Sequence, residues 1–307
     1  MTRAVVFAYH NVGVRCLRVL LDQGVDVALV LTHEDSPTET IWYDSVAQVC
    51  ADHSIPFITP DDANAPNVVA RIRALAPQFF FSFYYRKMLG ADLLGIPTRG
   101  ALNMHGSLLP KYRGRVPVNW AVLHGERETG ASLHYMEIKP DAGNLVAQTA
   151  VPILGDDTAF EVFQKVTVAA ELTLARALPQ LIAGTAPSVP LNLKAGSYFS
   201  GRKSEDGRID WTRTAAEVNN LVRAVAPPYP GAFADLGSKR IIVAKARVAA
   251  AEATSSVPVA GQIARTSNGS LGFVCGDGKL LIPLRLIVED KTLDASASQT
   301  WLATVKQ

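Results

Sequence analysis

Within NMHGSLLPKYRG, residues 103 to 114, an amide, an imidazole and a hydroxyl recur at every second position as Asn103, His105 and Ser107. Residues at i, i+2 and i+4 of an extended segment share a face, so this spacing predicts three polar groups pointing into one space. Downstream, HYMEIKPDAGNLVAQ holds Asp141 in a Pro-Asp-Ala-Gly turn between two apolar runs. Aspartate is a common turn former there. Set against His105, its negative charge would also raise the imidazole pKa. Asn103, His105 and Asp141 together could stabilise an oxyanion and move a proton, the two tasks of acyl transfer to an amine. Ser107 has no dedicated base at suitable spacing and is expected to pin the loop rather than attack. His10, His33, His53, His124 and His134 each read as hydrogen-bonded structural residues.

The elements that must position this group alternate in type. Runs at 4–9 (AVVFAY), 25–32 (VDVALVLT), 55–58 (IPFI), 79–83 (FFFSF) and 101–104 (ALNM) are rich in β-branched or aromatic residues, and helical stripes lie between them at Leu17, Leu20, Leu21 and at 68–75. Such alternation predicts an α/β domain with a parallel-rich, Rossmann-like, doubly wound sheet. Sites in these sheets lie at the carboxyl ends of strands, where NMHGS falls. The first strand-to-helix turn, AYHNVGVR, lacks G-x-G-x-x-G, and Gly13 alone reads as a turn glycine, so NAD is not expected. A helix is expected over 159–182, then a linker in TAPSVPLNLKAGSYFSGRK, which is rich in Pro, Gly and Ser. Beyond it, 215–225 reads as an amphipathic helix, and RIIVAKARV, GQIART, LGFVCG and LLIPLRLI as short strands of a smaller, barrel-like β domain of oligonucleotide-binding type. The expected division is 1–184 for the catalytic domain, 185–203 for the linker and 204–307 for the β domain.

Composition bounds the rest. A chain of 307 residues with 48% hydrophobic content can build a substantial core, and a formal net charge of +2 calls for neither nucleic acid nor an anionic membrane. No targeting tract precedes the first strand and no run approaches the ~18 apolar residues of a span, so a cytoplasmic protein without membrane insertion is expected. Cys16, Cys50 and Cys275 lack paired spacing and read as small core residues. The polar site residues lack ligand spacing, so no metal is expected.

NMHGSLLPKYRGRVPVNW followed by TGASLHYMEIKPDAGNLVAQ resembles the formyltransferases that use 10-formyltetrahydrofolate, with their Asn-x-His-x-Ser-Leu-Leu-Pro motif and downstream Asp-x-Gly. IDWTRTAAEVNNLVRAVAPPYPGAF resembles the start of the carboxyl-terminal domain of methionyl-tRNA and some sugar formyltransferases, so the likeness spans nearly the whole chain. Within that group, VVFAYHNVG, SFYYRKML, Gly106 after the histidine and AVAPPYPGAF are similar to the formyltransferase half of the bifunctional enzymes of polymyxin resistance that act on UDP-4-amino-4-deoxy-L-arabinose in lipid A modification. Their other half, an NAD-dependent decarboxylase, has no counterpart in this sequence, which suggests a stand-alone form.

The resemblance implies that Asn103, His105 and Asp141 are catalytic. Asn and His would stabilise the tetrahedral oxyanion, His would take part in proton transfer and Asp would support the imidazolium. It further implies folate contacts at Lys87, Met88, Leu89 and Arg115 and in the turn Glu137, Ile138, Lys139, Pro140 and Asp141. Lys111, Arg113 and Arg115, with Tyr112 among them, would form a basic rim for the folate tail and a sugar-nucleotide pyrophosphate.

The acceptor expected on this basis is a UDP-linked 4-aminosugar. Methionyl-tRNA is the first alternative, and a nucleic-acid-binding protein with an inactive formyltransferase-like domain is the second. The first 200 residues carry 16 basic and 18 acidic side chains and the remainder 14 and 10, a poor match to a polyanion. The stretch 32–45 holds Glu34, Asp35, Glu39 and Asp44 with no Lys or Arg, where tRNA formyltransferases tend to carry a basic insertion. Partnership with tRNA is therefore not expected.

Overall fold

The computed structural model describes residues 1–37, 40–237, 239–252 and 259–305. It divides into two compact units, one of Met1–Pro117, Glu128–Pro152 and Phe163–Ser200 and one of Val118–Arg127, Ile153–Val162 and Gly201–Gln307.

The first unit opens with β1 (Arg3–Ala8), α1 (His10–Asp22), β2 (Asp26–Leu31), α2 (Val46–Asp52), β3 (Phe57–Ile58), α3 (Pro66–Ala74), β4 (Phe79–Phe83), α4 (Ala91–Leu94) and β5 (Ala101–His105). The chain continues through β6 (Arg113–Gly114), α5 (Pro117–Leu123), β7 (Glu128–Tyr135), β8 (Leu145–Pro152), α6 (Ala159–Ala183) and β9 (Tyr198–Phe199). Seven strands form one sheet in the order β3-β2-β1-β4-β5-β7-β8. The pairs from β3 to β5 are parallel, whereas β7 runs antiparallel to β5 and β8 to β7. The sheet is thus mostly parallel, as the alternation of elements predicts.

Its central strands carry apolar side chains on both faces because helices cover both. Phe79, Phe80, Phe81 and Phe83 are all fully buried, with Phe7 edge-on to Phe80 at 5.2 Å. Continuous rather than alternating hydrophobicity is the mark of a strand buried on two sides. Gly13 lies in the first turn of α1 rather than in a loop. A Cβ there would press on Val46 and on Ala8, so the glycine permits close packing of helix on strand. α6 has the length and hydropathy of a membrane span, which the sequence reading did not anticipate, but half of it is buried within the protein. Val166, Ala170, Leu174 and Leu178 are its fully buried stripe, the i, i+4 spacing of a core-facing helix.

The segment expected as a linker is partly structured. Leu193–Ala195 form a 3-10 turn and β9 pairs in parallel with β6. Tyr112 donates from its backbone to Ser197 Oγ (2.9 Å), and Arg113 and Arg115 donate to the carbonyls of Ser197 and Phe199.

The second unit holds α7 (Ala215–Val225), β10 (Ala232–Leu236), β11 (Lys239–Ala249), β12 (Ile263–Arg265), β13 (Leu271–Val274), β14 (Leu280–Val288), β15 (Lys291–Leu293) and α8 (Ala295–Thr304). Thr214 and Glu217 cap α7 reciprocally. The strands form one antiparallel sheet, β10-β11-β14-β13-β12 with β15 on β14. Among the described residues β10 and β12 are not paired, so the sheet curls as a half-barrel. Cys16, Cys50 and Cys275 are buried and free.

Candidate active site

β5 carries its polar residues in its carboxyl-terminal half. Asn103 and His105 share a face as the two-residue period requires, and Asn103 sits opposite His134 of β7 in the antiparallel register. Asp141 arrives from the turn after β7 with left-handed backbone (φ 48°), and its Oδ2 accepts from the Gly114 N–H at 2.8 Å. Gly114 itself has φ 95°, and a Cβ there would strike the Phe199 carbonyl, so glycine is required beside β9. The Asp141 Oδ1 lies 3.5 Å from His105 Nδ1, from His134 Nε2 and from Asn103 Nδ2 alike. One carboxylate oxygen therefore faces two imidazoles and an amide.

Hydrogen bonds fix the tautomers. A carbonyl can only accept, so the 2.7 Å contact of His105 Nε2 with the Tyr112 carbonyl makes Nε2 the donor and leaves the Nδ1 lone pair toward Asp141. The same logic puts the His134 proton on Nδ1, donated to the Tyr135 carbonyl at 2.8 Å. His134 Nε2 is then an acceptor for Asn103 Nδ2 at 3.2 Å. His134, read from the sequence as structural, thus orients the Asn103 amide. A lone histidine on an apolar strand carries no chemical signature. Only its cross-strand pairing with Asn103 would have found it.

Burial governs the charges. His105 is 6% exposed, and its pKa lies below the ordinary imidazole value because desolvation outweighs the upward pull of Asp141 and of the Tyr112 carbonyl. This corrects the expectation of a raised pKa: Asp141 acts in the expected direction, but burial wins. Burial would also raise the Asp141 carboxyl, yet attraction to His105 and His134 in their protonated forms, together with the Gly114 N–H, holds it well below the usual carboxylate range. The resting pair is a carboxylate beside a neutral imidazole. That imidazole can accept a proton on Nδ1, and the product imidazolium would be stabilised at once.

The surrounding loop is pinned rather than reactive. Ser107 Oγ donates to the Lys111 carbonyl (2.6 Å), and buried Ser132 Oγ donates to the Ser107 carbonyl (2.5 Å) while accepting from Leu109 N–H and Gln148 Nε2. Of the expected basic rim, Lys111 and Arg115 are exposed, but Arg113 is only 8% exposed with Nε and Nη1 buried. The rim is therefore two cations rather than three.

The other residues expected at the site divide by exposure. Lys87 is exposed and donates to the Pro60 carbonyl (3.1 Å) and the Asp61 carbonyl. Leu89 is buried in a core cluster that also packs Tyr85 and Met136. Met88 and Ile138 are 57% and 62% exposed, and Glu137 and Lys139 are exposed with Pro140 half-buried. The shared cluster brings the segment after β4 together with the one after β7. Among the described residues no group of three or more His, Cys, Asp or Glu is arranged to hold a metal ion.

Two further, half-buried histidines give the protein a pH signature. Burial, with Arg86 nearby, pushes His10 down to about 3; burial, with Lys87 and Arg86, pushes His33 down to about 4. Unfolded imidazoles protonate near pH ~6.5. Between about pH 6.5 and 4 the unfolded chain binds more protons, so stability falls as pH falls through that window. Melting temperature is expected to drop on acidification there, and less steeply in His33→Gln. Indistinguishable profiles for parent and variant would remove His33 from this account.

The family model described as formyl transferase matches residues 9–178, and that described as formyl transferase, C-terminal domain, matches residues 202–300. Among solved structures, an N-formyltransferase from Helicobacter canadensis, in complex with folinic acid and dTDP-3-aminofucose, aligns with a TM-score of 0.67 at 20% identity over 92% of this chain and 98% of that one. WlaRD, a sugar 3N-formyl transferase in the presence of dTDP and 5-N-formyl-THF, aligns at 0.69 and 19% identity over 95% and 98%. A 4-N formyltransferase from Francisella tularensis aligns at 0.62 and 19% identity over 76% and 91%. Likeness at these identities is a likeness of fold.

Proposed function

The chain belongs to the formyl transferase family, and from that premise we propose that it moves the formyl group of 10-formyltetrahydrofolate to the amine of a nucleotide-linked aminosugar, specifically UDP-4-amino-4-deoxy-L-arabinose. The observation that carries the reading is the buried trio of Asn103, His105 and Asp141, a neutral base with an amide donor and a fixed carboxylate. The acceptor amine attacks the formyl carbon, a C–N bond forms and the carbonyl oxygen becomes an oxyanion. Asn103 Nδ2 donates to that oxyanion. His105 takes the amine proton on Nδ1, and Asp141 steadies the imidazolium. Returning the proton to the folate nitrogen lets the original C–N bond break, giving a formamido sugar and tetrahydrofolate. Each invoked group acts on charge that develops during reaction, where electrostatic preorganisation is most effective.

The donor fits the other rim. Exposed Met88 and Ile138 offer apolar surface to a flat pterin, and the backbone of 87–89 and 137–140 offers its polar edge donors and acceptors. Lys111 and Arg115 are exposed and positively charged, as a rim for anionic groups requires. Support for a sugar acceptor comes from the solved relatives above, two of which were determined with folates and dTDP or a dTDP-sugar. Charge supports it over tRNA: in the stretch 32–45, Asp35 accepts from Tyr9 Oη (2.6 Å) and Glu34 from Thr59 Oγ1 (3.1 Å), while Glu39 lies outside the described residues. Carboxylates there repel phosphates.

The choice of uridine rests on HGSLLPKYRGRVPVNW and AVAPPYPGAF, so the test offers both bases. UDP-4-amino-4-deoxy-L-arabinose, a dTDP-aminosugar and methionyl-tRNA are supplied side by side with 10-formyltetrahydrofolate. Efficient formylation of the UDP sugar is expected, with methionyl-tRNA formylated poorly. Rapid, salt-sensitive formylation of methionyl-tRNA with both sugars untouched would reverse the assignment.

A further inference from the structure

The strand order reverses between β1 and β4: from β1 the chain moves outward to β2 and β3, then returns to β4 and moves the other way to β5. Loops leaving such a pair diverge and open a crevice at the carboxyl ends. Here the two strands are tied at that end, with Tyr9 N–H donating to the Phe83 carbonyl at 3.0 Å and Ala8 bridging to Tyr84. Past the ties, His10 (φ 66°) and Tyr84 (φ 59°) both adopt left-handed backbone. That region is disfavoured for bulky side chains, and strain of this kind gathers at functional sites. Where a phosphate-binding crevice would have glycines, this one has rings.

The rings form a platform. The His10 ring centroid lies 3.9 Å from that of Tyr43, 4.5 Å from Trp42 and 6.5 Å from Tyr84, with buried Phe163 4.8 Å behind. His10, Trp42, Tyr43 and Tyr84 all remain partly exposed. A hydrogen bond between the Tyr9 and Tyr43 hydroxyls (2.7 Å), with Tyr9 also bonded to Asp35, holds the Tyr43 ring in place.

The platform reaches the reacting centre through Tyr84. Its hydroxyl occupies the space a Cβ on residue 106 would fill, and residue 106 is glycine, next to His105. A group lying on these rings is thus about one side chain from the attacking amine. In an aminosugar nucleotide that group is the pyranose, since two phosphates separate the base from the amine. Pyranose C–H faces stack on aromatic rings, and His10, whose Nδ1 accepts from the Asn11 N–H at 2.9 Å, keeps its Nε2–H to donate to a sugar hydroxyl.

We propose that the crevice at the β1–β4 reversal, floored by His10, Trp42, Tyr43 and Tyr84, is the subsite for the acceptor's pyranose ring, and that these side chains select the sugar. The proposal rests on the aminosugar reading above.

Calorimetry on the full chain tests it with three probes: UDP-4-amino-4-deoxy-L-arabinose, UDP alone and 5-formyltetrahydrofolate. Trp42→Leu and His10→Asn, the latter keeping a residue that tolerates left-handed backbone, are each expected to weaken binding of the UDP-aminosugar about tenfold. Binding of UDP and of the folate should be unchanged, which also certifies the fold, and Trp42→Phe should restore most of the loss. Equal weakening for UDP and the UDP-aminosugar would assign the rings to the nucleotide and overturn the proposal, as would unaltered binding of all three. A parent that binds the folate but neither a UDP- nor a dTDP-aminosugar would instead bring down the sugar reading, and this subsite with it.

Discussion

Asn103→Ala and His105→Ala are each expected to lose about 100 to 1,000-fold in turnover while still binding folate, because in the proposed mechanism both side chains act on charge present chiefly in the transition state. Asn103 is aimed by His134 at 3.2 Å, and His105 is clamped by the Tyr112 carbonyl at 2.7 Å. Neither group must reorganise as the oxyanion forms. His105→Ala also removes a buried ring, so His105→Gln serves as the companion variant: it fills more of the space but cannot take the proton. Steady-state rates at saturating donor and acceptor measure the effect. Either alanine variant staying within a few-fold of the parent would strip that residue of its role.

Replacing Asp141 by Asn should produce the second large effect, and it has a pH signature. In the proposed mechanism the carboxylate favours the imidazolium, so its loss lowers the His105 pKa further and removes the charge that steadies the protonated ring. A fall in kcat of about 100-fold or more is expected, the scale of general acid–base contributions. In the parent, the acid limb of kcat/KM reports protonation of His105 and should fall below the ordinary imidazole value of ~6.5. In Asp141→Asn the limb should move to still lower pH. The amide can still accept from Gly114 N–H, so the loop should hold its place. An NMR titration that finds the His105 pKa unmoved would disconnect the two residues.

Much of the scaffold was legible because its physics is local. FFFSF reads as a strand from its aromatic residues, and 215–225 as an amphipathic helix, before any contact is known. The alternation of Asn103 and His105 places both on one face for the same reason. What was hidden depends on partners distant in sequence. The antiparallel direction of β8 on β7 is set by the turn that carries Asp141, and that of β7 on β5 by the connection through residues 106–127, neither by composition. The ladder between β6 and β9 joins two residues to two, too short to leave a pattern, yet it positions Tyr112 and Gly114 at the site. α8 was unseen because ASASQTWLAT has no apolar stripe; Asp294, capping the Ala297 N–H at 2.9 Å, was its one signal.

Charge state was the least legible property. Proximity of Asp141 and His105 in the fold could be anticipated from the motif, but the balance between attraction and desolvation depends on depth of burial. His105 lies deep enough to stay neutral, and Arg113 is drawn inside while Lys111 and Arg115 remain exposed. A basic run in sequence is therefore not a basic surface in the fold.

The most direct measurement of the central claim is a single turnover with 10-formyltetrahydrofolate carrying an isotopic label in its formyl group and UDP-4-amino-4-deoxy-L-arabinose as acceptor, run with the parent and with His105→Gln. The account predicts that the parent moves the label into an amide on the sugar's 4-amino nitrogen, leaving unlabelled tetrahydrofolate, and that His105→Gln leaves it on the folate over the same time. Label that stays on the folate in the parent, or transfer by the variant at the parent's rate, would contradict it.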